Sequence, residues 1–155
     1  MREVQNGKIA ARLVAWRALS VGAVYVALFV FDRTLKWLAR TYQPEQSGWL
    51  SWRYHLNSEG LFSLPVPPFV LVTLGVMAAA ALIHLALTNL NRLRSWPACG
   101  LMLMVIGGAS NLMDRLSLGG VVDMFYVTGG LTFNLADVYL LSGVGITLAA
   151  SRVKG

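Results

Sequence analysis

Four long apolar runs, separated by polar connections, dominate the hydrophobic pattern of the chain. They cover about 18–39, 68–88, 97–116 and 131–150. None shows the strict alternation of a half-buried strand, and each is too continuous for a helix with one wet face. At 1.5 Å per residue, some twenty residues cross the roughly 30 Å hydrocarbon layer of a bilayer, so the pattern predicts four membrane spans. The third run reaches full length only by continuing through Leu116, which places Asp114 and Arg115 near the interface, adjacent and able to compensate one another. The first run follows Arg2, Lys8, Arg12 and Arg17 in the manner of a signal peptide. However, Phe31-Asp32-Arg33 follows its apolar part directly and no small-x-small site closes it, which predicts an uncleaved anchor.

The connections add a second kind of element. Trp49 to Leu56 reads as extended structure lying on the membrane surface, and Val121 to Val127 is β-like and runs into the turn signal Thr128-Gly129-Gly130. The expected fold is therefore mainly α and integral to the membrane. It is a four-transmembrane-helix bundle with a small β-rich cap on the outer face, forming one domain over residues 1–155.

Composition sharpens this picture. Of the 155 residues, 56% are hydrophobic and 13% charged, and the mean hydropathy is +0.60; soluble domains carry about 25% charged residues. The net charge of +6 comes from basic residues that form no stripe with interleaved aromatics, so nucleic acid is not an expected partner. Their placement follows topology instead. With both termini in the cytoplasm, Arg2, Lys8, Arg12, Arg17, Arg92, Arg94, Arg152 and Lys154 lie inside, against Arg33, Lys36, Arg40, Arg53 and Arg115 outside. That bias of eight to five is the one the positive-inside rule favours. Trp37, Tyr42, Trp49, Trp52, Tyr54 and Tyr126 then crowd the outer interface, and every acidic residue except Glu3 lies at or beyond that boundary.

Candidate chemistry is concentrated in those acids. Asp123 and Asp137 stand beside apolar segments, where a carboxylate at a helix centre costs about 2.5–3.5 kcal/mol on insertion scales. Two carboxylates sharing a proton can activate water without metal, cysteine or serine. Asp32 and Lys36 share a helix face at i, i+4 and read as an ion pair near the end of the first span. Asn111, Asp114 and Arg115 share another face as a network supporting a site, and Asn134 lies one turn before Asp137. Other hydrolytic chemistries lack their parts. Cys99 is the only cysteine, and His55 and His84 fall on opposite sides of the second run, so no metal site and no cofactor are expected. Ser110 lacks a nucleophile-elbow context and reads, with Gly107, Gly108 and Ala109, as a small residue allowing close helix approach.

Five stretches carry a family resemblance: Asp32-Arg33-Thr34-Leu35-Lys36, Asn57-Ser58-Glu59-Gly60-Leu61-Phe62, Gly107 to Arg115, Gly120-Val121-Val122-Asp123 and Phe133-Asn134-Leu135-Ala136-Asp137. In this order they resemble the bacterial lipoprotein signal peptidases (signal peptidase II), four-span aspartyl endopeptidases of the inner membrane. The resemblance implies that Asp123 and Asp137 are the catalytic pair. It also implies that Asp32, Asn57, Asn111, Asp114, Arg115 and Asn134 support the site or contact substrate, and Lys36, the partner of Asp32, is expected to support the site with them. The implied substrate is a prolipoprotein cut before its diacylglyceryl-modified cysteine. The enzyme would be a monomer among membrane lipids, with both termini cytoplasmic and the site at the outer (periplasmic) face. The chain departs from the usual family pattern at Arg33, where glutamine is common, at Leu35, where threonine is common, and at Glu59, which delays Gly60 by one position. The rival reading is a small four-span transporter, which calls for an acid near mid-membrane, or a non-catalytic paralogue that binds lipopeptides. Turnover of a diacylglyceryl-modified precursor separates the three.

Overall fold

In a computed structural model, which describes residues 2–42, 48–59, 67–88 and 96–152, four helices and three short strands follow one another. They are α1 (Arg2–Thr41), β1 (Leu50–Asn57), α2 (Pro68–Thr88), α3 (Trp96–Leu118), β2 (Val121–Val127), β3 (Leu131–Phe133) and α4 (Leu135–Arg152). The Asn89–Trp96 connection up to residue 95, Gly60, Leu61 and Phe62 of the second motif, and Lys154 lie outside the described residues. Mainly helical architecture with a small antiparallel sheet is as expected. Among the described residues, no helix is long and apolar enough to cross a membrane.

Two boundaries differ from the sequence reading. α1 begins at Arg2 and not near residue 18. It contains no proline to break the helix before the apolar run. The fourth element does not begin at residue 131: Leu131, Thr132 and Phe133 pair with β2, and the helix starts at Leu135. Local apolarity could not distinguish a short inner strand from the first turn of a helix. The second and third runs match α2 and α3 closely. Pro68 opens α2, and Pro97 sits in the first turn of α3, where a missing N–H leaves no bond unmade.

α3 is the hub, packing on α4 above all and also on α2, α1 and β2. Glycine explains how close α3 and α4 come. A Cβ on Gly143 would lie 2.5 Å from the Gly100 carbonyl oxygen and 2.6 Å from Met104 Cγ, and one on Gly107 would lie 2.5 Å from the Ala136 carbonyl oxygen. At the end of α3, Gly119 takes φ +76° and donates its N–H to the Arg115 carbonyl at 3.1 Å, a left-handed C-terminal cap that turns the chain into β2.

The sheet runs β1-β2-β3, antiparallel throughout. Trp52, Phe125 and Phe133 are successive cross-strand partners, with ring centroids 5.6 Å and 5.2 Å apart, so one aromatic row spans all three strands. Between Trp52 and His55 the β1 strand carries one residue more than its partner, a bulge that brings His55 opposite Asp123. The β2–β3 hairpin closes through Thr128-Gly129-Gly130, with Gly129 at φ +114° and Gly130 at φ +102°. The Trp52 indole N–H donates to the Tyr42 carbonyl at 3.2 Å, fastening the sheet to the end of α1.

The close helix crossing yields a paired test. Gly143→Ala is expected to destabilise the protein by about 1–3 kcal/mol, because its Cβ meets backbone that must shift. Gly145→Ala, two residues away with nothing within 4 Å of its Cβ, should be neutral or stabilising by up to about 1 kcal/mol. Thermal unfolding of both variants in detergent micelles measures the difference.

Candidate active site

Where α1, α3, β2 and the start of α4 meet, four aspartates lie together: Asp32 and Asp114 are fully buried, Asp123 is buried and Asp137 is half-buried. They come from four different elements, and their surroundings divide them into two pairs.

Asp32 and Asp114 are held by cations. Lys36 Nζ lies 2.8 Å from Asp114 Oδ2 and 3.3 Å from Asp32 Oδ2, and Arg33 Nη1 is bonded to Asp114 Oδ1. The i, i+4 pair of the first run is therefore real but buried, and its lysine sits closer to Asp114 than to Asp32. Ser110 donates its hydroxyl to Asp32 and lies 3.4 Å from Lys36 Nζ, so it is a member of this network as well as a small packing residue. Both carboxylates also take backbone N–H groups. Asp32 accepts from Ala136 at 2.9 Å, satisfying one of the open donors at the start of α4, and Asp114 accepts from Val122 at 3.2 Å at the start of β2.

Asp123 and Asp137 are held by neutral donors alone among the described residues. Asp123 Oδ1 accepts from Asn134 Nδ2 at 2.7 Å, and its Oδ2 accepts from Thr132 Oγ1 at 3.1 Å and Asn57 Nδ2 at 3.3 Å. Asp137 Oδ1 accepts from Asn111 Nδ2 at 2.8 Å, and its Oδ2 accepts from the Asn134 backbone N–H at 3.1 Å. Asn134 Oδ1 in turn accepts the Asp137 N–H at 3.0 Å. This reciprocal pair is a capping box, with Asn134 as the N-cap of α4 and Asp137 three residues on. One fully buried asparagine thus touches both carboxylates, which are near enough to interact electrostatically.

The two halves communicate through Asn111. Its Oδ1 accepts from Lys36 Nζ at 2.8 Å, which leaves its Nδ2 to face Asp137. Arg115 is half-buried and interacts electrostatically with Asp137, Asp123 and Asp114, without a hydrogen bond at its side chain among the described residues. The structure thus gathers the nine residues singled out in the sequence around one locus, and adds Arg33, Ser110 and Thr132. Thr132 was legible as the one polar side chain of the Leu131-Thr132-Phe133 strand, once the hairpin register places it beside β2. Asp123 lies in β2, within the Val121–Val127 segment that read as β-like in the sequence. Among the described residues, no group of three or more His, Cys, Asp or Glu side chains is arranged to hold a metal ion.

A family model described as signal peptidase (SPase) II matches residues 24–153. The chain belongs to the signal peptidase II family. Membership makes it a protease, one of the hydrolases that remove signal peptides. The lipoprotein signal peptidase of Trichormus variabilis is 32% identical over 142 residues, covering 85% of this chain and 88% of that protein. The lipoprotein signal peptidase of Streptococcus pneumoniae is 47% identical over a shorter stretch of 57 residues, 36% of this chain and 37% of that protein. A bacterial membrane enzyme solved by the in meso method at 2.3 Å resolution shares the fold, with a TM-score of 0.72 at 19% identity over 84% of this chain and 85% of that one. A second, at 1.9 Å resolution, gives a TM-score of 0.69 at 20% identity over 83% and 89%.

The charge network generates a stability test. Lys36→Met leaves two buried carboxylates short of a counter-charge, and breaking a buried pair in this way costs about 3–5 kcal/mol. Arg33→Gln should cost less, because the Arg33 side chain is 26% exposed and water screens its loss. Thermal unfolding in detergent should rank Lys36→Met well below Arg33→Gln and the parent protein.

Proposed function

We propose that this chain is an aspartyl endopeptidase that removes the signal peptide of prolipoproteins, with Asp123 and Asp137 as its catalytic pair. The observation that carries the assignment is the division among the four aspartates. Asp32 and Asp114 have lysine or arginine at bonding distance and are committed to ion pairs, whereas Asp123 and Asp137 meet only amide, hydroxyl and backbone donors. The second pair, with no cation at bonding distance, is the one the geometry leaves for acid–base work. In hydrolysis one carboxylate takes a proton from water while the other, protonated, polarises the scissile carbonyl and then protonates the leaving amine. Asn134, bonded to both, keeps them in register for that exchange. Asn111 and Asn57 orient one carboxylate each, and Lys36 fixes the direction in which the Asn111 amide points.

The substrate is a lipoprotein precursor, as the name shared by the relatives suggests, and the sequence resemblance places the cut on the amino side of its diacylglyceryl-modified cysteine. The protein acts as a single membrane-embedded domain over residues 1–155, with its helices in the bilayer. Support for this placement comes from large apolar side chains that face outward along the helices, among them Val26, Phe31, Phe69, Met77, Leu141 and Leu148. Water would make such a surface adhesive; lipid tails and a lipidated substrate suit it. Exposed Trp37, Tyr42 and Trp49 near the sheet end of α1 suit a membrane–water interface, with the site at the outer face and both termini inside.

Asp123→Asn and Asp137→Asn keep the shape of each side chain but prevent a shared proton. Each is expected to lower cleavage of a diacylglyceryl-modified precursor by at least about a thousandfold while leaving the protein folded; substantial turnover by either variant would sink the pair. Topology has its own test. Accessibility tags at Met1, in the Asn89–Trp96 connection and at Gly155 should report the cytoplasm, and one near Gln46 the outside. Labelling of the Asn89–Trp96 connection from outside intact cells would reverse the orientation.

A further inference from the structure

A groove of about 550 Å³ opens on the sheet, lined by β1 residues from Arg53 onward, by Glu59 and by Tyr126, Gly130 and Thr132. Two of its lining residues, Asn57 and Thr132, are the donors that hold Asp123 Oδ2, so one end of the groove reaches the proposed catalytic pair. The remainder is polar and carries charge. At Asn57 the chain bends as an Asx turn, in which the Glu59 N–H donates to Asn57 Oδ1 at 3.1 Å. The same bond leaves Asn57 Nδ2 free for Asp123 and brings an exposed carboxylate to the groove. Glu59 is two residues from Asn57, so their Cα atoms are at most about 7 Å apart. The Arg53 guanidinium lies 4.2 Å above the Tyr126 ring in the same groove, six residues along the chain from Glu59, so Glu59 is the charge beside Asn57.

The geometry points to this groove as the binding site for the polypeptide on the carboxyl side of the cut, with Glu59 selecting for basic side chains in the first residues after the modified cysteine. This rests on the peptidase reading above and adds to it a preference in substrate sequence. The apolar signal segment belongs with the outward apolar faces of the helices. The segment that departs into water needs the polar route, and this groove begins at Asn57 and Thr132, the residues that hold Asp123.

Three diacylglyceryl-modified precursors, identical except for lysine, serine or glutamate at the two positions after the cysteine, provide the test with the full-length enzyme in detergent. The parent protein should cleave the lysine form with kcat/KM about two- to fivefold above the glutamate form for each exposed charge pair formed. The ratio should shrink toward one in 1 M salt, where the screening length falls to about 3 Å. Glu59→Gln should flatten the ratio and Glu59→Lys should invert it. Both retain the backbone bond to Asn57, because only the side chain changes. Equal cleavage of the three precursors, or a lysine preference that survives in Glu59→Gln, overturns the groove assignment while leaving the peptidase reading standing. Failure of the parent protein to cleave any of them overturns the peptidase reading itself.

Discussion

Burying charge is the constraint on which the rest of this structure depends. An isolated carboxylate in a low-dielectric interior is several kcal/mol out of place, and even a paired one returns that cost only when its other lone pairs are used. Asp32 and Asp114 meet the condition fully. Each combines a cation with a backbone N–H, and the N–H groups they choose belong to Ala136 at the head of α4 and Val122 at the head of β2. The elements that carry Asp137 and Asp123 are therefore docked by the same carboxylates that neutralise Lys36 and Arg33. Removing the ion pairs would loosen the frame that aims the other two carboxylates as well as destabilise the core.

The sheet and the glycines serve that frame from outside. β2 brings Asp123 in from above α3, and the aromatic row from Trp52 through Phe125 to Phe133 keeps the three strands in one register. A slip of one residue would turn Asp123 to the other face. Gly119 and Gly120 let the chain reverse sharply after α3: a Cβ on Gly120 would lie 2.9 Å from the Asn57 carbonyl oxygen, so β1 can draw close enough for Asn57 to reach Asp123. Gly107 does the equivalent for α4, letting Ala136 approach α3 and placing Asn111 beside Asp137.

Much of this was legible in the sequence. The apolar runs predicted the helices, the β-like segments and the Gly-Gly turn predicted the sheet, and both aspartates stood out because few acids occur in so apolar a chain. What escaped was long-range or one-sided. The start of α1 was hidden because a polar helix has no apolar period to mark it. β3 was hidden because three residues beside a helix carry no periodicity of their own. Ser110 looked like a spacer because a hydroxyl next to glycines on a helix gives no hint of a carboxylate 78 residues away. The partition of the four aspartates into an ion-paired set and a set held by neutral donors was invisible for the same reason. It is decided by which cation lies across the fold, and only Asp32–Lys36 is local enough to be read from spacing.

The capping box at Asn134 has a consequence for biosynthesis. The hydrogen bonds that begin the last helix are also those that hold the two carboxylates together, and Asp32, near the other end of the chain, accepts an N–H from the same turn. A chain still emerging from the ribosome holds its first three helices and its strands before this turn exists. Without that turn, however, Asp123 has neither its neighbour nor the amide that aims it. Under the proposed assignment, competence therefore waits on the seating of the final helix, because the amide that holds both carboxylates caps its first turn.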